Sequence, residues 1–216
     1  MADSIGRHSL RTAAILLGFT LLGTAILAYT FSITKGTISH NEELAKLELI
    51  TQTLPKRLYD NDIIRDHVIL KPAKLLGTDE DTLAYRARKQ GHPVAVVLEA
   101  IAPDGYGGKI KMLVAILVNG DIAGVRVISH NETPGLGDYI DIAKSNWIKI
   151  FDGTSLAKLS PKDWKVKKDG GKFEHMAGAT VTPRAVVKAV HKALEFYSQE
   201  GARIFSMPAA KQERKS

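Results

Sequence analysis

The sequence predicts an α+β protein: one apolar N-terminal helix, then a single extracytoplasmic domain with a mostly antiparallel sheet and flanking helices. Three observations carry this. Thr12 to Thr34 contains no charged residue, two runs rich in β-branched residues are each interrupted by a turn signal, and an amphipathic pattern with a period near 3.6 lies close to the C-terminus.

At 1.5 Å per residue, residues 12–34 form a helix about 35 Å long, enough for a hydrocarbon core of about 30 Å. Arg7 and Arg11 precede this transmembrane segment, and Glu42 and Glu43 follow it. The positive-inside rule then places residues 1–11 in the cytoplasm and the remainder across the membrane. A signal peptide cleaved at Gly23-Thr24-Ala25 is the competing reading. The apolar run is long for a signal and continues to Ile33, which favours a retained anchor. Next comes "NEELAKLELITQTLP", expected to be a separate helix capped by Asn41, with Leu44, Leu47, Ile50 and Leu54 near one face and Pro55 as its stop.

"LAYRARK", Gln90-Gly91-His92-Pro93 and "VAVVLEAI" read as a hairpin. "IKMLVAILV", Asn119-Gly120-Asp121 and "IAGVRVIS" form a stronger hairpin signal, since Asn-Gly between β-branched runs favours a type I′ turn. "YIDIAKSNWIKIF" resembles a helix, "KKDGGK" a turn, and Trp147 and Trp164 suit core or surface anchors. The last helix is expected over about 183–197, with Val186, Val187, Val190, Leu194 and Tyr197 on its buried face. Thr182 suits its N-cap and Pro183 its first position. Residues 206–216, ending in "KQERKS", read as a mobile tail.

The 216 residues suffice for one domain and an appendage. The net charge of +7 arises from scattered lysines and arginines with no aromatic-plus-basic stripe, which argues against nucleic acid and for a solvated basic surface near membrane lipid. The absence of cysteine removes disulfides, thiolate metal sites and thiol nucleophiles together.

Three stretches carry possible chemistry. Ala177-Gly178-Ala179-Thr180 leads into the last helix through small residues that let a ligand approach the backbone. The helix start offers free N–H groups and partial positive charge, suited to a phosphate, with Arg184 as an added cation. A turn that merely lets the helix pack on the sheet is the plainer alternative. "SHNETPGLGD" follows a strand and forms a natural pocket rim; His130 and Glu132 share one side of an extended chain, consistent with an acid–base pair, a metal, or simply a polar turn. "APDGYGGKI" is a loop between strands whose Tyr106 is able to cover a planar ligand. Neither a dinucleotide-binding glycine fingerprint nor a Walker pattern occurs.

Together, "APDGYGG", "HNETPGLGD" and "KKDGGKFEHMAGATVTPRAVV" resemble the G subunit of the Rnf (Rsx) ion-translocating electron transport complex, a resemblance that extends across nearly the whole chain. A related family is the C subunit of the sodium-pumping NADH:quinone oxidoreductase, which shares the Gly-Ala-Thr element. The resemblance implies an FMN-binding domain over 35–205 on the periplasmic side of a bacterial inner membrane. It implies covalent FMN joined through its phosphate to Thr180, by a separate flavin transferase that uses FAD and magnesium. Gly178, Ala179, Val181, Thr182 and Arg184 would surround the phosphate. Glu132, Thr133, Pro134, Gly135, Leu136 and Gly137 would lie against the flavin, with Tyr106 as a further neighbour. In the transferase recognition pattern Glu174 takes the acidic position, and Ala177 stands where a small hydroxyl residue is usual. Partners would be the integral membrane and iron–sulfur subunits of the complex. The implied role is an electron-carrying subunit with no catalytic acid, base or nucleophile. A flavin-free assembly subunit and the quinone-oxidoreductase subunit are the alternatives.

Overall fold

The computed structural model describes residues 2–210, with side chains for 10–13, 15–32 and 46–210. Two compact units are present, 1–46 and 47–216.

Helix α1 runs without interruption over Ala2–Thr53. The separate helix expected from Asn41 is therefore corrected: residues 35–41 are helical and Asn41 lies inside α1. No proline occurs before Pro55, and Gly36 alone costs only about 1 kcal/mol, too little to break a long helix. Leu10–Ser32 is long and apolar enough to cross a membrane, and its large side chains are exposed. Within it the Thr20 hydroxyl donates to Leu16 O at 2.8 Å, satisfying a polar group without water. The side chains of Arg7, Glu42, Glu43 and Leu44 lie outside the described residues, as do residues 211–216 of the tail.

In the second unit, β1 (His67–Leu70), β2 (Thr82–Lys89), β3 (His92–Gly105), β4 (Gly108–Leu117) and β5 (Ile122–Ser129) form one antiparallel meander in sequence order. The type I′ turn sits at Gln90-Gly91, where both φ angles are positive (52° and 79°) and Lys89 pairs with His92. At the second hairpin the expected type I′ turn is replaced by a three-residue loop. Leu117 N–H donates to Asp121 O, Gly120 N–H to Leu117 O, and only Gly120 has positive φ (87°). The Asn119 side chain accepts the Asp121 N–H at 3.0 Å, favouring the longer loop with a glycine bulge.

One face of the sheet packs on α2 (Val181–Ser206) and the irregular segment between β5 and α2. Val96, Leu98, Met112 and Val114 meet Val186, Val190 and Leu194 there. The other face packs on Ile50 from the end of α1, on Leu54 just beyond it, and on Tyr59 and Ile63. The close approach requires Gly124, since a Cβ there would stand 2.4 Å from Thr53 O.

The α-helix expected within Tyr139–Phe151, running into an apolar segment, is absent; 3₁₀ turns Asp138–Ile140 and Trp147–Phe151 stand in this stretch instead. Side chains compete for the backbone: Asp141 accepts the Ala143 N–H at 2.9 Å, and Ser145 Oγ donates to Tyr139 O while accepting the Trp147 N–H. The segment is held instead by successive ring contacts from Tyr139 through Trp147, Phe151, Phe173 and Trp164 to His191, with centroids 5.0–5.7 Å apart. Both tryptophans are thus packing anchors.

His191 lies on Trp164, and its burial lowers the imidazole pKa, with Glu195 opposing the shift. Below the usual imidazole value of about 6.5 the unfolded chain therefore binds more protons, so stability falls as pH drops from there towards the lowered folded value. His191→Phe is expected to flatten this part of the stability curve, read as melting temperature from pH 7 to 5. An unchanged slope would remove His191 as its cause.

Helix α2 begins earlier and ends later than expected. Thr180, not Thr182, is the residue before its first turn, and Pro183 is third in the helix. Beyond Ser206, where the tail was expected, Met207 O accepts from Arg86 and Ala210 N–H donates to His67 O at 2.9 Å.

Candidate functional site

Strand β5 ends beside the β3–β4 turn, and its continuation passes the start of α2. The three segments enclose a cleft of about 290 Å³, at the lower end of the small-molecule range. The turn contributes Tyr106, the loop after β5 contributes Glu132, Thr133, Leu136 and Gly137, and the approach to α2 contributes Gly178, Ala179, Thr180, Val181 and Thr182. Pro134, Gly135 and Arg184 are not part of the lining.

Pro134 and Gly135 act through shape. They occupy the centre of a turn closed by Leu136 N–H to Thr133 O at 3.1 Å, with Gly135 at φ +75°, the type II geometry that Pro-Gly favours. Thr133 and Leu136 are thereby presented at the cleft. Arg184 is engaged elsewhere: its Nε and Nη2 donate to the two oxygens of Asp169 at 2.6 and 2.8 Å. That contact holds the Asp169 carboxyl below its usual range and raises the guanidinium further.

At the other wall, Ala179 N–H donates to Met176 O at 3.2 Å, and Gly178 takes φ +86° with nothing within 4 Å of a notional Cβ. The backbone is therefore open to a ligand at Gly178. Thr180 is half-buried, and its hydroxyl has no hydrogen bond among the described residues. Its carbonyl accepts the first bond of the helix, from Arg184 N–H at 3.3 Å, so the N–H groups of Val181 and Thr182 precede the bonded ladder. Thr182 turns inward, 1% exposed, and its hydroxyl donates to Glu132 Oε2.

Glu132, 4% exposed, also accepts the Gly107 N–H at 3.0 Å on Oε1, while its own N–H donates to His130 Nδ1 at 3.1 Å. Tyr139 clamps the 176–179 turn from the core side: its hydroxyl accepts the Met176 N–H at 3.2 Å and donates to Ala179 O at 3.4 Å. Burial raises the pKa of this phenol and keeps it a donor. Sequence reasoning missed Tyr139, which carries no motif; its role arises only when residues 139 and 176 meet. Tyr106 stands at the mouth, 72% exposed, as an uncovered aromatic face.

An open left-handed glycine, a hydroxyl without a hydrogen bond among the described residues and a helix start together suit a phosphate-bearing ligand. The family models agree with this class of site: the FMN-binding domain model matches residues 105–195, which contain all three cleft segments, and the RnfG N-terminal region model matches residues 1–53. The chain is 45% identical over 205 residues to the G subunit of the ion-translocating oxidoreductase complex of Pseudomonas aeruginosa (strain UCBPP-PA14), covering 94% of this chain and 96% of the relative. It is 41% identical to the proteins of the same name from Shewanella loihica, over 94% and 96%, and from Vibrio cholerae (strain ATCC 39541), over 92% and 94%. The chain belongs to the family of G subunits of ion-translocating oxidoreductase complexes and contains that family's FMN-binding domain.

Proposed function

We infer that this chain is the flavin-carrying subunit of a membrane-bound electron transport complex, with FMN held by a phosphoester to Thr180. The observation that carries the reading is the Thr180 hydroxyl, unbonded at an open cleft and directly preceding α2. The second threonine of the same turn is consumed by a hydrogen bond.

Thr180 Oγ1 forms the P–O bond to the FMN phosphorus, the pyrophosphate P–O bond of FAD breaks in a flavin transferase, AMP leaves, and the hydroxyl proton passes to solvent. The diester keeps one negative charge. The N–H groups of Val181 and Thr182 and the helix dipole offset it, with Arg184 compensated by Asp169 and so contributing less. Tyr106, Leu136 and Val181 would supply apolar surface for the flavin ring, with Thr133 and Gly178 also in the lining. Bound flavin supplies one- and two-electron redox chemistry; the protein sets its potential and its distance to neighbours.

The apolar helix anchors the chain in a bacterial inner membrane, with the N-terminus cytoplasmic and the 35–205 domain periplasmic. The partners are integral membrane subunits and, reached through them, iron–sulfur subunits that couple ferredoxin and NAD redox chemistry to ion movement.

The test is in-gel flavin fluorescence of the denatured chain after coexpression with a flavin transferase. Wild type is expected to fluoresce and Thr180→Val to be dark, a loss of at least about 90%. A dark wild-type band beside a labelled control substrate would overturn covalent attachment.

A further inference from the structure

We propose that Glu132 is the positioning residue of this site and decides which of the two threonines flanking Val181 is presented to the cleft. The proposal rests on the reading of the cleft as a flavin-attachment site.

The carboxylate is built into place. Oε1 takes the Gly107 N–H at 3.0 Å from the β3–β4 turn, and Oε2 takes the Thr182 hydroxyl from α2, fifty residues away in sequence. The surrounding glycines leave its room: a Cβ at Gly105 would stand 2.7 Å from Oε1, and one at Gly137 would stand 2.8 Å from Oε2 and 2.9 Å from Thr182 Oγ1. The glycine content of these loops thus serves the protein's own carboxylate as well as an incoming ligand. One buried side chain ties together the three segments that form the cleft.

The tie has a chemical consequence. Thr180 and Thr182 both border the cleft, Thr180 just before α2 and Thr182 in its first turn, and they differ in what holds the hydroxyl. Glu132 holds the Thr182 hydroxyl inside, 1% exposed, as a donor to a buried oxygen. Thr180 is left as the hydroxyl of that pair available for phosphoryl transfer, with the start of α2 fixed against the other two walls. Without the carboxylate, Thr182 has no inward acceptor and the helix start loses its connection to both loops.

The experiment uses the full chain coexpressed with an active flavin transferase. Peptide mass mapping of Phe173–Arg184 measures how much flavin is bound and on which threonine, and far-ultraviolet circular dichroism monitors folding. Wild type is expected to carry flavin on Thr180 alone. Glu132→Ala is expected to lose at least tenfold in total label and to place part of the remainder on Thr182. Glu132→Gln keeps the tie, its carbonyl accepting from Gly107 and its amide donating to Thr182, so label within twofold of wild type on Thr180 is expected. A general loss of stability would neither move the label to Thr182 nor be rescued by glutamine.

Wild-type label on Thr180 alone in Glu132→Ala would overturn the proposal, as would a Glu132→Gln protein labelled as poorly as the alanine variant. If Glu132→Ala does not fold, Gly137→Ala intrudes on the same carboxylate. Reduced label there supports the proposal, and undiminished label on Thr180 overturns it. A wild-type chain without flavin beside a labelled control overturns the attachment reading itself, an outcome distinct from failure at Glu132.

Discussion

Arg86→Met is expected to cost about 3–5 kcal/mol of unfolding free energy, because it removes a buried guanidinium from a partly buried ion network and leaves its partners unpaired. The Arg86 side chain, on β2, is 4% exposed. Its Nε donates to Asp66 Oδ1 at 2.7 Å, and its Nη1 reaches the carbonyls of Ile204 and Met207. Arg88, on the same strand, takes Asp66 Oδ2 at 2.8 Å and Phe205 O at 3.4 Å. The last carbonyls of a helix have no partner within it, and its C-terminal end favours cations. Strand β2 therefore caps α2 and closes the domain, with Asn61 adding a bond to Arg86 O at 2.9 Å. Methionine fills similar volume but leaves part of Asp66 and two carbonyls without donors. Urea unfolding followed by the fluorescence of Trp147 and Trp164, both in this unit, should show a lower midpoint with unchanged slope. A loss under about 1 kcal/mol would mean that water replaces the guanidinium and that the network is not a fastening.

Phe151→Ala is expected to be comparably damaging, about 3–5 kcal/mol, and to reach the cleft as well. Phe151 is fully buried, with Trp147 edge-on at 5.7 Å and Phe173 tilted at 5.0 Å. Trp147 in turn meets Tyr139 edge-on at 5.3 Å, and Tyr139 holds the 176–179 turn. Removing the central ring opens a cavity beneath the floor that supports Thr180. Flavin attachment at Thr180 should fall by more than the unfolded fraction accounts for, whereas Phe151→Leu should retain most of both properties. Full labelling of folded Phe151→Ala would show that the turn before α2 holds its shape without the aromatic stack.

Much of this molecule was legible because the relevant signals are local. An uncharged run long enough for a bilayer, alternating β-branched segments with turn residues between them, and a 3.6-residue apolar period all depend on neighbours in sequence. They led to the apolar N-terminal helix, the meander and α2. Residues from all three stretches that could carry chemistry line one cleft. The failures were local too. Asn119-Gly120 has type I′ composition, yet the Asn119 side chain bonds Asp121 and the loop takes one more residue. The helix read within 139–151 was prevented by Asp141 and Ser145 binding nearby backbone, a competition that apolar spacing does not reveal.

By itself, then, the sequence determined an apolar helix long enough to cross a membrane, an antiparallel sheet and a small-residue turn carrying a threonine into a helix, because each is set by the residues within one or two turns of chain. Tertiary structure alone decided which groups share the cleft. Arg184 looked free for a phosphate until Asp169 was found beside it, and Thr182 looked like a cap until Glu132 was found to hold its hydroxyl. The physical reason is that a charge or hydroxyl acts through whatever lies within about 3 Å of it. For these residues the partner is fifteen or fifty positions away, brought close only when the helix packs on the sheet.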